Sequence, residues 1–347
     1  MRIALCTLFN VNYLDKGLVL YESLEKVCPD FVLYVLAMDD RCYDILLDMN
    51  KKNISLINLS EFENEKLTTA RQNRTFGQYC YTCSSSLIKF IFDNYNERAC
   101  AYIDADLCFY SDPTILFDEM IARNASVSVI GHRFGLHNRK REQIVGKYCV
   151  QFNIFINDCR GNLLLEIWIN QCLISCDCLE DGMHWGDQMY LHNWCDLYDF
   201  VIESEEYGAG VAPWNIEQYK RSDKGNSYIY YRGNDIPFVF YHFENIKYVS
   251  PNYIDISAIV TWNVDVEFVR ELYTTYLKEI SKQKNILKEC YNFEVYLKFH
   301  PEFPVSAQLG LCKRMLRMLN PFNWKEIILR SIPGRLYGKY NFINISV

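Results

Sequence analysis

The 347-residue chain has little of what marks several large protein classes. No apolar run reaches the ~18 residues that cross a bilayer as a helix. Positive charge is not in excess: the net charge is −7, which argues against a nucleic-acid partner. Cysteine is plentiful at 15, yet no paired CxxC…CxxC array exists. Cys80-x-x-Cys83 and Cys176-x-Cys178 are candidates for part of a zinc site, but buried free thiols are the expected state. A charged n-region, apolar core and small-residue cleavage site are missing ahead of the first apolar stretch, so reduced thiols and a cytoplasmic setting are expected. Gly208-Ala209-Gly210 lacks the third glycine and the strand-to-helix setting of a dinucleotide fingerprint. No internal repeat or low-complexity segment is present.

What is there reads as a large globular core. Half the residues are hydrophobic and 15% are aromatic. Aromatic rings fill cores and also suit the apolar faces of sugars. Over the first 130 residues strand and helix signals alternate. Strands are expected at 3–9, 31–38, 54–57, 99–103 and 126–130, and helices at 13–27, 41–49 and 81–95. That alternation implies an α/β fold, a mostly parallel sheet covered on both faces, with ligands at the strand C-termini. Further on, strands are expected at 147–156, 228–231 and 236–242, and helices at 163–176 and across 266–297.

The most informative stretch runs from Ala101-Tyr102-Ile103-Asp104-Ala105-Asp106 to Ser111-Asp112-Pro113. An apolar strand ends in two carboxylates one residue apart. Buried acids are costly unless they find a cation. Paired carboxylates suit Mn²⁺ or Mg²⁺, which can bridge a diphosphate and offset the charge of a departing nucleotide. A solvated acidic turn is the plainer alternative. A D-x-D also occurs in haloacid-dehalogenase phosphatases, but there it follows the first strand, and Cys108 stands where they carry Thr or Val.

Other segments follow in order: Cys6-Thr7-Leu8-Phe9-Asn10-Val11-Asn12-Tyr13-Leu14, Lys89 on a helix, Gln151-Phe152-Asn153-Ile154-Phe155, Trp185-Gly186-Asp187-Gln188 and Tyr241-His242-Phe243-Glu244-Asn245-Ile246-Lys247. Together these resemble the GT-A glycosyltransferases, in particular the glycogenin and bacterial galactosyltransferase group (family 8), and bacterial surface-polysaccharide transferases. The resemblance spans roughly residues 3–248. Phe155 stands where that family usually has glycine, and the His242-to-Lys247 spacing is one residue short.

The resemblance implies a GT-A, Rossmann-like catalytic domain over residues 1–250 and a mainly helical extension over 251–347. It implies transfer of a hexose from a UDP-sugar to a glycan or lipid-linked oligosaccharide acceptor, with retention. Asp104, Asp106 and His242 would hold the metal. Thr7, Asn10 and Tyr13 would meet the nucleobase side of the donor, Lys89 and Lys247 its phosphates, and Asn153 its sugar. Asp187 and Gln188 would flank the anomeric carbon, where a carboxylate or amide oxygen stabilises an oxocarbenium-like centre. Each has a plainer reading. His242 can be a core histidine, Tyr13 a helix-entry staple, the lysines exposed, and Asp187 the cap of a helix over 188–194.

His184, Trp185 and residues 210–215 are candidates for the acceptor side, and Arg71 and Arg74 for the diphosphate. Residues 311–347 carry seven basic residues and one acid, +6 against −13 for the rest. Apolar residues recur among them at helical spacing, which fits either an anionic membrane surface or packing on the body. A sugar nucleotidyltransferase is a rival reading, but the first strand lacks the Gly-rich basic loop such enzymes show. A nucleotide- or carbohydrate-binding module without activity is another.

Overall fold

A computed structural model describes residues 2–136, 138–246, 248–250, 253–255, 264–297 and 342–344. The central sheet contains β1 (Ile3–Phe9), β2 (Phe31–Ala37), β3 (Ile54–Asn58), β4 (Ala99–Ile103), β6 (Val127–Gly131), β7 (Tyr148–Ile156) and β8 (Val201–Glu203), with β5 (Leu107–Phe109) outside it. Their order is β3-β2-β1-β4-β7-β6-β8. The first four run parallel, and β7 is antiparallel to both β4 and β6. This is the mixed, mostly parallel sheet flanked by helices that the sequence predicts.

The sheet strands are apolar almost throughout because helices cover both faces. On one face Leu5, Leu33 and Ile103 pack with α1 (Leu14–Val27) and α2 (Asp40–Met49). On the other, Cys6, Leu36 and Cys100 pack with α5 (Phe76–Tyr95) and α8 (Cys159–Ile174). Short helices α3 (Leu59–Phe62), α4 (Glu65–Gln72), α6 (Thr114–Ala122) and α7 (Glu142–Val145) fill the connections. Each fully buried Leu or Ile contributes about 1.5–3 kcal/mol.

Capping moves several boundaries away from the apolar periodicity. A Thr75/Gln78 capping box starts α5 at Phe76 rather than at 81. Asp158 Oδ1 accepts from Gly161 N at 2.7 Å and starts α8 at Cys159 rather than at 163. The helix expected over 188–194 is instead a 3₁₀ turn, Met189–Leu191, then α9 (Trp194–Leu197). The strand expected over 236–242 is two. A meander of β9 (Tyr219–Arg221), β10 (Tyr228–Tyr231) and β11 (Asn234–Pro237) ends at Pro237, and β12 (Phe240–His242) pairs with β5.

Helix α10 (Val266–Tyr291) is capped by Asp265 and ended by Asn292 at φ 48°. Its Tyr273 and Tyr276 share a core with Tyr241 and Phe243, and Tyr276 stacks on Phe243 at 3.7 Å. A small sheet joins β13 (Tyr248–Ser250), β14 (Tyr253–Asp255) and β15 (Phe342–Asn344). The amphipathic pattern expected over 311–347 lies outside the described residues, apart from β15. The described cysteines are free thiols, and no Cys cluster is among the possible metal groups of the described residues. Among the described residues no helix is long and apolar enough to cross a membrane.

Candidate functional site

The chain leaves β1 toward β2 on one side, while β4 lies on the other, so their C-terminal ends flank a topological switch point where ligands bind in such sheets. A cavity of about 470 Å³ opens there. Asn10 and Tyr13 line it after β1, Asp104 and Asp106 after β4, and His242 and Glu244 at β12 and beyond. Trp185, Asp187 and Gln188 form part of the wall.

Strand pairing brings His242 to the carboxylates. Antiparallel β5 and β12 set Leu107 opposite His242. Phe243 N donates to Asp106 O at 3.0 Å. His242 Nε2 then stands 3.0 Å from Asp106 Oδ1 and 3.7 Å from Asp104 Oδ2. The Tyr13 hydroxyl reaches Asp106 Oδ2 at 3.5 Å, with its ring part-exposed over the cavity.

The charges are tightly linked. Burial favours a neutral His242 ring, but Asp106, then a Cys149 hydrogen bond and Asp104, outweigh it and hold the imidazole well above its usual range. Burial also opposes the Asp106 charge, yet His242 keeps that carboxyl below the carboxylate range. Asp104 is pushed up to about 6 by burial, with Asp106 adding to the rise and His242 opposing it. Two carboxylates and one imidazole, with ligand atoms within 4.8 Å of one another, fit a divalent cation with a taste for oxygen and nitrogen such as Mn²⁺.

Asp187 occupies a second buried position on the wall. Gly186, at φ +56°, turns the chain into the protein, and its absent side chain leaves room for the Tyr81 ring. Trp168 Nε1 donates to Asp187 O at 3.0 Å, and Ser84 Oγ donates to Asp187 Oδ2 at 2.6 Å. Burial pushes the Asp187 carboxyl up to about 7, against the Ser84 hydrogen bond and with help from Asp104. Gln188 Nε2 donates to Val145 O at 2.6 Å.

Of the expected donor-side, metal and catalytic residues, Asn10, Tyr13, Asp104, Asp106, Asp187, Gln188 and His242 share the cavity. Others are not among its lining residues. Lys89 pairs with Asp93 one turn along α5. Thr7 and Asn153 are fully buried within β1 and β7, where the Thr7 hydroxyl and both ends of the Asn153 amide have no partner among the described residues. Lys247 lies outside the described residues. Arg74 donates to Cys172 O at 2.6 Å and Leu173 O at 2.7 Å, closing the end of α8. Arg71 pairs with Glu63, and His184 with Asp181. Trp185 and Trp214 do line the cavity.

Sequence reasoning missed Ser84 and Trp168, which hydrogen-bond to Asp187, and gave no role to Gln151, whose Oε1 stands 2.9 Å from His242 Nδ1. The one available signal was the polar run Ser84-Ser85-Ser86 inside an apolar helix.

No protein-family model matches the chain. It is 29% identical over 299 residues to the uncharacterized protein YfnF of Bacillus subtilis strain 168, covering 84% of this chain and 97% of that protein. It is 27% identical over 283 residues to the uncharacterized protein YfnD of the same strain, covering 80% and 88%. Among solved structures it is similar to mouse xyloside xylosyltransferase 1 in its apo form, at 12% identity, 70% and 98% coverage and a TM-score of 0.46. It is also similar to the galactosyltransferase LgtC in complex with donor and acceptor sugar analogs, at 14% identity, 71% and 87% coverage and a TM-score of 0.45.

Proposed function

We propose that this chain is a metal-dependent glycosyltransferase of the GT-A type. It moves a hexose from a UDP-sugar to a glycan or lipid-linked acceptor, with retention, in cell-surface polysaccharide synthesis. The observation that carries the reading is the Asp104–Asp106–His242 cluster, set at the switch point of the sheet and open to a cavity of about 470 Å³. Residues 1–250 are the catalytic unit. Residues 251–347 are an extension whose helix α10 shares a core with β12. The cytoplasmic face of an anionic membrane is the proposed setting.

Asp104, Asp106 and His242 would hold Mn²⁺ or Mg²⁺. When bound, that ion neutralises the diphosphate of the leaving nucleotide. Asn10 and Tyr13, leaving β1, are assigned to the nucleobase side, where the part-exposed Tyr13 ring offers a stacking face. Asp187 and Gln188 are assigned to the anomeric side. The Ser84 and Trp168 hydrogen bonds hold Asp187 in one setting, so its carboxylate can face developing positive charge without rearranging. Lys247 remains the candidate phosphate contact.

The test is nucleotide release from UDP-, GDP- and ADP-sugars with Mn²⁺ or with EDTA. Mn²⁺-dependent release from one donor, lost in Asp106→Asn, is the expected outcome. Release that EDTA and Asp106→Asn leave untouched would sink the metal reading.

A further inference from the structure

We propose that Gln151 is the positioning residue of the metal cluster. It holds His242 in the one tautomer and ring setting that leaves Nε2 free for a divalent cation. The inference rests on the metal reading above.

Gln151 is fully buried on β7 and acts on two of the three ligand residues from its two ends. Its backbone carbonyl accepts from Asp104 N at 3.1 Å and fixes the chain just where β4 ends. Its side-chain Oε1 stands 2.9 Å from His242 Nδ1. An imidazole that gives Nε2 to a cation keeps its one N–H on Nδ1, where the amide oxygen of Gln151 is placed to accept it. With Nδ1–H engaged, Nε2 is the nitrogen that faces Asp106 and Asp104, at 3.0 and 3.7 Å.

The surroundings favour positioning over packing. Gln151 Nε2 has no hydrogen-bond partner among the described residues. A buried unpaired donor is destabilising, and an apolar side chain at this position would avoid it. Room for the amide comes from Gly210, at φ +80°, where an added Cβ would stand 2.9 Å from Gln151 Nε2 and 2.6 Å from Ile130 Cγ2. The next residue, Val211, accepts from His242 N at 2.9 Å. His242 is thus pinned twice, through its backbone by Val211 and through its ring by Gln151. The Gly208-Ala209-Gly210 run has its use here. A neutral amide also adds no third carboxylate charge to the cluster.

Acceptors behind a ligating imidazole fix its orientation and strengthen it as a ligand, and losing one typically costs ~10–100-fold in metal affinity. The experiment titrates Mn²⁺ into the full chain, with and without UDP, following free Mn²⁺ by electron paramagnetic resonance. Gln151→Leu is expected to bind Mn²⁺ ~10–100-fold more weakly than wild type. Gln151→Glu keeps an acceptor for Nδ1–H and is expected to stay within a few-fold of wild type. If Gln151→Leu gives no cooperative melt, Gln151→Met replaces it. Wild-type affinity in the leucine or methionine variant overturns the proposal. Equal loss in the glutamate and apolar variants reduces Gln151 to packing and also overturns it. Failure of the wild type to take up Mn²⁺ brings down the metal reading itself, and the proposal with it.

Discussion

Ser84 Oγ donates to Asp187 Oδ2 at 2.6 Å, with both side chains buried beneath the cavity. This bond opposes the burial that pushes the Asp187 carboxyl up to about 7. The native state therefore keeps a proton that the unfolded chain, near the ordinary Asp value of about 3.9, gives up. The stabilisation this proton gives is full below pH ~4 and is lost as pH rises through about 7. Urea unfolding in EDTA at pH 5 and pH 8 should show wild type losing up to ~3 kcal/mol more than Asp187→Asn. Ser84→Ala should move the window upward. Equal losses in wild type and Asp187→Asn would remove Asp187 as the titrating group.

Metal uptake must displace the proton on His242. Because Asp106 and Asp104 hold that ring well above its usual range, Mn²⁺ should bind more weakly as pH falls, by about tenfold per unit below the ring's folded value. In thermal melts Mn²⁺ against EDTA should stabilise the protein more at pH 8 than at pH 6. At 100 times Kd the gain is about 2.7 kcal/mol. Asp106→Asn should abolish it. A shift independent of pH would contradict His242 as a ligand.

Arg74 closes the C-terminal end of α8 with two hydrogen bonds to carbonyls and a third to Thr82. Arg74→Gln should cost about 1–3 kcal/mol, read as a lowered urea midpoint. Mn²⁺ and UDP binding should not change. Loss of UDP binding with the midpoint unchanged would return Arg74 to the donor site.

Trp168 stacks on Phe155 at 5.8 Å, meets Trp194 edge-on and holds the Asp187 carbonyl. Trp168→Phe keeps a ring in place but orphans that carbonyl. We expect a loss of about 1–3 kcal/mol in stability together with reduced donor turnover at unchanged KM. Turnover equal to wild type would detach the Trp168 bond from the site.

Much of this was written in local patterns. The apolar runs of β1, β2 and β4, with helical periodicity between them, dictate a sheet covered on both faces. Asp104 and Asp106 stand out because two acids at the end of an apolar strand demand a counter-charge. Helix starts were less legible, because Thr75 and Asp158 set them by capping while the apolar stripe begins later.

What sequence determined was therefore the α/β class and the two carboxylates. Which distant residues complete the site was decided by tertiary structure. The β5–β12 pairing carries His242 to Asp106, while Lys89, equally well spaced along the chain, turns to Asp93 instead. Strand register and helix rotation act across the whole fold, and no local spacing encodes them. The same holds for Gln151, Ser84 and Trp168, whose roles exist only once β7, α5 and α8 are packed around the cavity.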